Sequence, residues 1–447
     1  MRFEDLAGRD VVIWGTGREG RATYAELGRR GVAATFVLTG DGAVPEDLAP
    51  LVSVGPRALE RLERADVVVK SPGVPRTAPE LARVRELGVA VTSLTDLWLS
   101  ANAARVVAVT GTKGKSTTSA LIRHLLTSTG TPAALVGNGG TPVTDGDTAD
   151  ARVAVAEVSS YQAADLSVSP RVAVVTSLFP EHLPWHGGFD QYVRDKLNLV
   201  AHGCEVVVVP DLEGDLAERV RASAGAGTRL VAPGSVGIAV SDSGIDWGAA
   251  GRLDAGELRI QGRHNLVNVG LALAAVAVGF EVDGAARAAL LEAARTFRPL
   301  EHRLEPVPSG DGRLWVDDSL ATAPEAVVAA LETYPSSRVA LILGGADRGL
   351  SFAPLRDYLA ARPTDAPVSV VAVGPAGARW VAEAGAVTGG AHQAAGFTEA
   401  LAWIRDDLDG CEVVLLSPGA PSFDEFASYE ERSAAFRQAA RLARSAG

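Results

Sequence analysis

Short, wholly apolar runs alternate with longer amphipathic stretches along most of the chain, the rhythm of strands and helices in open parallel sheets. Residues 10–14 read as the first strand. They are followed by Gly15-Thr16-Gly17-Arg18-Glu19-Gly20, a helix to about residue 30 and a second strand over 33–38. A further run, 65–69, ends in Lys70-Ser71-Pro72-Gly73-Val74-Pro75, a rigid turn at the carboxyl end of a strand, where sheets of this kind bind ligands. After a helical stretch at 94–99 and a boundary near 100–105, strands are expected at 106–109, 152–157, 172–176 and 205–209, with helices between them. A weaker all-β patch over 228–260 precedes a long apolar helix from Asn265. Past a second boundary near Arg303, strands at 314–316, 339–343, 368–373 and 412–416 resume the βα rhythm. The fold class is therefore α/β, with three domains expected at 1–103, 104–303 and 304–447.

Between Val106-Val107-Ala108-Val109 and the helical stretch 119–126 lies Gly111-Thr112-Lys113-Gly114-Lys115-Ser116-Thr117. Strand, glycine turn and helix start are the parts of a grip on a nucleoside triphosphate. Glycines let backbone N–H groups curl around phosphate oxygens, the helix N-terminus adds positive potential, Lys115 reaches the β- and γ-phosphates, and Ser116 holds Mg²⁺. The full G-x-x-x-x-G-K-[ST] pattern wants glycine where the chain has Val109, so the loop is a shorter variant that begins at Gly111. The earlier run Gly15-x-Gly17-x-x-Gly20 matches a dinucleotide fingerprint in spacing, yet no acidic residue closes the second strand, where Thr39 is followed by Gly40 and Asp41. It supports a diphosphate at a helix N-terminus, and the phosphate loop disfavours an NAD-dependent oxidoreductase.

At 447 residues the chain has room for about three domains. A formal charge of −12 argues against a general binder of nucleic acid or anionic membrane, so any basic site must be local. Cys204 and Cys411 match no metal or redox spacing, which suits a reduced cytoplasm. The apolar helix at 266–280 carries Asn268 and falls short of the roughly 18–20 apolar residues of a membrane span. Of 42 basic residues only Lys70, Lys113, Lys115 and Lys196 are lysines. Under such a bias a retained lysine marks a place where guanidinium does not serve, because lysine alone offers a compact charge and, when neutral, a nucleophilic amine. Lys196 stands out on that ground.

Several polar clusters sit at expected strand ends. Glu157 closes an apolar strand before Val158-Ser159-Ser160-Tyr161-Gln162; its carboxylate suits Mg²⁺, while Ser159 or Ser160 can cap a helix. His182 and His186 lie four apart, but Pro184 argues against the single helix face of a zinc pair, and one histidine beside Mg²⁺ or nucleotide fits better. Gly262-Arg263-His264-Asn265 reads as a capped helix start whose Asn265 can equally be a plain N-cap. In the third segment Asp317-Asp318-Ser319, Gly344-Gly345-Ala346-Asp347-Arg348 and the loop 417–424 all follow strands, so they converge on one sheet edge where a ligand is expected.

The short phosphate loop, Glu157 to Ser160, Glu181-His182 with Lys196, Gly262 to Asn265, Glu301-His302-Arg303 and Asp318-Ser319, in that order, resemble the Mur ligases, the ATP-dependent amino-acid-adding enzymes of peptidoglycan synthesis. The resemblance covers essentially the whole chain and is strongest to the glutamate-adding members, whose substrate is UDP-N-acetylmuramoyl-L-alanine. It implies a Rossmann-like N-terminal domain that holds the UDP group through Gly15, Thr16, Gly17, Arg18, Ser71, Pro72 and Gly73, with Asn138 and Ser159 also at the substrate. It implies a central ATPase-like domain in which Gly111 to Thr117, Asn268, Arg303 and Asp318 serve ATP, and Ser116, Glu157 and His182 serve two Mg²⁺. Lys196 matches the family lysine that CO₂ carbamylates into an anionic metal-site ligand. The C-terminal Rossmann-like domain is implied to bind glutamate, and Lys115, Lys196 and His182 are the residues implied at the chemistry.

D-glutamate enzymes of the family typically carry a lysine after the Asp-Ser pair and another after the Gly-Gly turn. This chain has Leu320 and Arg348 there. The strings 111–118, Leu178-Phe179-Pro180-Glu181-His182-Leu183 with Trp185-His186-Gly187, 346–350 and 417–423 resemble instead the branch that adds L-glutamate, whose product a separate epimerase inverts. Thr322, Arg348, Ser422 and Tyr429 are the expected pocket residues, because exchanging a carboxylate anchor is one way to change stereochemical preference. The alternatives are D-glutamate addition with a rearranged pocket, and a nucleotide-sensing scaffold without turnover. A monomer that uses no nucleic acid and no membrane insertion is expected.

Overall fold

Three largely parallel sheets take up the apolar runs, and a small antiparallel sheet takes up part of the weaker patch. The computed structural model describes all residues except 40–43, 138–141, 145–147, 149, 182, 261, 281, 283, 299–300, 385–388, 407, 409 and 444–447. The first sheet has the order β3-β2-β1-β4-β5, from β1 (Val11–Trp14), β2 (Ala34–Leu38), β3 (Val52–Val54), β4 (Val67–Lys70) and β5 (Ala90–Thr92), all parallel. The second has the order β11-β10-β9-β6-β8-β7, from β6 (Val106–Thr110), β7 (Ala133–Val136), β8 (Val153–Glu157), β9 (Val172–Val175), β10 (Val206–Val208) and β11 (Arg229–Val231), again all parallel. In each, the glycine-rich loop leaves a strand whose neighbours are connected to opposite sides, the crevice that ligands use in such sheets.

The patch at 228–260 is less uniform than its sequence suggests. Its first strand, β11, joins the parallel sheet, while β12 (Ala239–Ser241), β13 (Gly244–Asp246) and β14 (Arg252–Asp254) form a separate antiparallel meander. The last sheet has the order β15-β16-β20-β17-β18-β19, built from β15 (Glu305–Val307), β16 (Leu314–Asp317), β17 (Val339–Gly344), β18 (Val368–Val373), β19 (Ala391–Gln393) and β20 (Val413–Leu416). It is parallel except for β15, which runs antiparallel to β16 and carries Pro306 at the sheet edge, where a missing donor costs no ladder bond.

Central strands β1, β4, β6, β8, β17 and β20 are buried at every residue, so they read as continuous apolar runs. Strands β3, β5, β7 and β19 are short and only partly covered; a polar residue in each of β3, β5 and β19, and the small half-buried alanines of β7, hid them. The helix Arg263–Gly279 begins two residues before Asn265, so that side chain lies inside the first turn and is not the N-cap.

Contacts divide the chain into two compact units, residues 1–258 with 266–297, and residues 259–265 with 298–447. The first two large sheets therefore share a unit, and buried polar groups join them. Asp96 accepts from Ser167 N at 2.7 Å and Ser167 Oγ at 2.9 Å. Lys70, at the end of β4, is buried 2.8 Å from Asp165 and donates to Val74 O at 3.0 Å. Burial lowers the Lys70 pKa, and Asp165 opposes that shift. Arg76 donates to Asp195 at 2.7 Å and to Ala164 O at 3.2 Å. The turn after β4 is thus stitched to the second sheet by two cations whose neutral replacements would strand buried carboxylates.

Lys70→Met should lower the thermal midpoint of unfolding by ~5 °C or more, from a cost of about 3–5 kcal/mol for removing one member of a buried pair. Calorimetry reads this directly, and an unshifted midpoint would show that Asp165 does not need its cation.

Candidate active site

β6 delivers the chain into Gly111 at φ 146° and Gly114 at φ 87°, and the helix Lys115–Ser128 starts at once. A Cβ on Gly111 would lie 1.9 Å from Thr176 Oγ1, and one on Gly114 would lie 2.6 Å from Asn268 Oδ1, so neither position admits a side chain. The loop is held by the end of β9: Thr112 N donates to Ser177 O and Lys113 N to Ser177 Oγ, both at 2.9 Å. Thr112 Oγ1 is 2.6 Å from the Tyr192 hydroxyl. Lys115 Nζ folds across the loop to Gly111 O at 3.0 Å and Thr112 O at 3.2 Å, and Lys113 Nζ pairs with Glu181 at 3.0 Å. Ser116 and Thr117 lie in the first turn of the helix, whose leading amides have no intrahelical acceptor.

Around this loop the fold gathers Glu157, Lys196 and Asn268. Glu157 ends β8 directly beside Val109 of β6, and its Oε2 is buried with no hydrogen-bond partner among the described residues. Lys196, on the helix Phe189–Leu197, is buried and donates to Gly111 O at 2.9 Å. Burial, with Lys115 beside it, drives the amine well below the usual lysine range, against the pull of Glu181 and Glu157. Asn268 Oδ1 accepts from Thr118 Oγ1 at 3.2 Å. A buried carboxylate oxygen left without a donor, near a glycine-rich loop and a buried amine of lowered basicity, is a donor set that fits a hard divalent cation with carboxylate and phosphate ligands. His182 lies outside the described residues.

His186 is taken up elsewhere. Its Nδ1 is 2.7 Å from Asp195 and its Nε2 3.0 Å from Ser160 Oγ, all three residues buried, and burial holds the imidazole below its usual pKa despite Asp195. Ser159 is the N-cap of the helix Ser160–Ala163, its Oγ accepting from Gln162 N at 3.2 Å, so the capping role expected of Ser159 or Ser160 falls to Ser159.

At the carboxyl edge of the first sheet Gly15, Thr16, Gly17, Arg18, Ser71, Pro72 and Gly73 line a cavity of about 450 Å³. Gly17 is the N-cap of the helix Arg18–Arg29. A Cβ on Gly20 would lie 2.0 Å from Gly15 O, and Ser71 Oγ is buried without a partner among the described residues. Sequence reasoning missed Thr39, which lines the same cavity and receives the indole N–H of Trp14 at 3.0 Å. The buried tryptophan ending β1 was the available signal. Asn138 lies outside the described residues.

In the second unit Thr322 and Arg348 line one small pocket with Asp347, Arg379, Gly419 and Pro421. Ser422 is buried and Tyr429 opens the last helix, edge-on to His302 at 5.5 Å; neither lines that pocket. Arg379 and the buried Arg432, which donates to Ser319 O at 2.9 Å, carried no sequence signal because each is one arginine among many on an amphipathic helix. Asp318 is buried and accepts from Ser417 Oγ at 2.8 Å; burial raises its pKa to about 7. Arg303 lies between His302 at φ 61° and Leu304 at φ 47°, a left-handed pair held by His302 N to Glu305 at 2.9 Å and Leu304 N to Asp318 at 3.3 Å.

Known proteins match along the same lines. The family model described as Mur ligase middle domain matches residues 109–277. A UDP-N-acetylmuramoyl-L-alanine--L-glutamate ligase of a Micromonospora species is 44% identical over 99% of this chain and 98% of its own. The same-named enzyme of Salinispora tropica is 44% identical over 99% of each, and that of Xanthomonas euvesicatoria is 37% identical over 98% of this chain and 97% of its own. Among solved structures, the MurF ligase of Thermotoga maritima in complex with ADP superposes with a TM-score of 0.59 at 16% identity, covering 98% of this chain and 96% of its own. UDP-N-acetylmuramate-alanine ligase MurC from Thermotoga maritima gives 0.53 at 19% identity, over 96% and 98%. At these identities the likeness is one of fold.

Gly111→Ala should weaken ATP binding by about tenfold or more, since the added methyl must displace Thr176 in a backbone conformation that costs about 1–3 kcal/mol. Titration calorimetry with a non-hydrolysed ATP analogue is the check; wild-type affinity in the variant would separate the loop from the nucleotide.

Proposed function

The chain belongs to the Mur ligase family of ATP-dependent, peptide-bond-forming enzymes, on its glutamate-adding side, and we propose that it joins L-glutamate to UDP-N-acetylmuramoyl-L-alanine through an acyl phosphate. The observation that carries this reading is the 44% identity, end to end, with ligases named for that reaction. The residues after the Asp-Ser pair and the Gly-Gly turn, Leu320 and Arg348, support it as departures from the lysines of the D-glutamate enzymes. D-glutamate remains the competing amino acid.

A carboxylate is a poor electrophile, so the alanyl carboxylate must first accept the γ-phosphoryl group. Such a transfer needs positioning and charge neutralisation more than covalent chemistry from the protein. Lys115 and the loop amides supply part of that charge, and Lys115 exchanges its carbonyl contacts for phosphate oxygens when nucleotide enters. Two Mg²⁺ held by Ser116, Glu157, His182 and a carbamylated Lys196 would supply the rest. A free amine, not an ammonium, reacts with CO₂, and the suppressed basicity of Lys196 favours that form at neutral pH. The glycine-rich cavity of the first sheet, at a helix N-terminus with Ser71 Oγ unpartnered among the described residues, suits the diphosphate of the UDP substrate. A separate epimerase would then act on the L-glutamyl product. No helix among the described residues is long and apolar enough to cross a membrane, and we assign the reaction to the cytoplasm, where its nucleotide substrates are.

ATP-dependent phosphate release with UDP-N-acetylmuramoyl-L-alanine should be faster with L-glutamate than with D-glutamate, with the product mass confirming the adduct; a preference for D would reverse the stereochemical assignment. Lys196→Ala should lower turnover by about two orders of magnitude or more, with partial recovery on adding acetate or formate in place of the carbamate. An unimpaired variant would remove Lys196 from the metal site.

A further inference from the structure

We infer that Arg379 is a positioning residue for the amino-acid pocket: it sequesters Asp347 and thereby leaves the neighbouring Arg348 guanidinium free to take a carboxylate of the incoming amino acid. The inference rests on the glutamate-adding reading and concerns how that pocket keeps its cation.

Arg379 stands on the helix Gly374–Ala384 and forks Asp347, with Nε to Oδ2 at 2.7 Å and Nη2 to Oδ1 at 2.9 Å. The same Nη2 donates to Leu350 O at 2.8 Å, Nη1 reaches Glu383 at 3.2 Å, and the guanidinium lies 4.6 Å above the buried Phe352 ring. Asp347 also receives Gly349 N at 2.8 Å, and Gly349 takes φ 68°. Residues 347–350 are therefore pinned at both ends by one side chain, and Asp347 is held below the usual carboxylate pKa chiefly by its bonds to Arg379. Arg348 sits inside this turn and lines the pocket with Thr322, Gly419 and Pro421. Its exposed guanidinium has no partner among the described residues.

The charges decide what each group does. Asp347 and Arg379 neutralise each other, which leaves the Arg348 charge over the pocket. Without Arg379, Asp347 loses the cation it is bonded to, while Arg348, its neighbour in sequence, lines the same pocket, and a planar fork pairs readily with a carboxylate. The pocket would then present a neutral pair where it now presents a cation. A dicarboxylic amino acid would lose a charged hydrogen bond worth a factor of about ten or more.

The experiment measures steady-state constants for wild type, Arg379→Gln, Asp347→Asn and the double variant, with thermal midpoints recorded for each. Arg379→Gln should raise KM for glutamate about tenfold, leave KM for ATP and for the UDP substrate unchanged, and keep a near-native midpoint. Removing the competing carboxylate in the double variant should restore most of the glutamate affinity, although both anchors of the turn are then gone. A double variant as impaired as Arg379→Gln would overturn the inference, as would an unchanged glutamate KM in Arg379→Gln or an equal rise in KM for ATP. If wild type itself does not turn over glutamate, the glutamate-adding reading fails first, so the two failures are distinct.

Discussion

Gly111 passes the end of β9 so closely that an added Cβ would lie 1.9 Å from Thr176 Oγ1, and the arrangement of the glycine-rich loop depends on that approach. Because the backbone comes so near, Thr176 Oγ1 can donate to Thr110 O at 3.2 Å, while Ser177 receives the amides of Thr112 and Lys113. Lys196 then takes the Gly111 carbonyl from the remaining side. The loop is ordered by partners from the segment after β9 and from the helix Phe189–Leu197, so the cost of ordering it is met in folding rather than in binding a ligand.

The same unit uses buried charge to join its two large sheets. Lys70 with Asp165 and Arg76 with Asp195 connect the turn after β4 to the helices that follow β8 and β9. Asp195 is shared further, with Gln191 at 2.7 Å and with His186, whose other nitrogen meets Ser160. By distance alone Ser160, His186 and Asp195 have the order of a nucleophile, a base and its orienting acid. Their burial, and the division of Asp195 among three donors, make them a joint between segments. Asp195 precedes Lys196 in sequence, so that joint also fixes the helix that carries this buried amine.

Much of this was legible in the residues. The loop from Gly111 to Thr117, the strand-ending Glu157 and the isolated Lys196 were each marked by local pattern or by rarity, and the structure brings them together. What was not legible had a common cause. Strands β3, β5, β7 and β19 lie at sheet edges; β3, β5 and β19 lack a continuous apolar run, and β7, though all apolar, is only four residues long and mostly half-buried. Asn265 resembles a cap by residue type, but the helix starts earlier because Gly262, at φ 95°, turns the chain first. Arg379 belongs to an arginine-rich chain, and nothing within its own helix distinguishes it until Asp347 and Leu350 are seen beneath it.

Apolar runs, glycine placement and helix starts act over a few residues, so the chain by itself determined its parallel sheets, its glycine loop before a helix and the unusual standing of its four lysines. Burial and pairing are properties of distant segments that meet. Only the tertiary structure decided that burial lowers the basicity of Lys196, that one oxygen of Glu157 has no donor among the described residues, and that Asp347 answers to Arg379 and not to Arg348. The reason is that desolvation and ion pairing depend on which groups exclude water from one another, and the groups concerned here lie tens of residues apart in sequence.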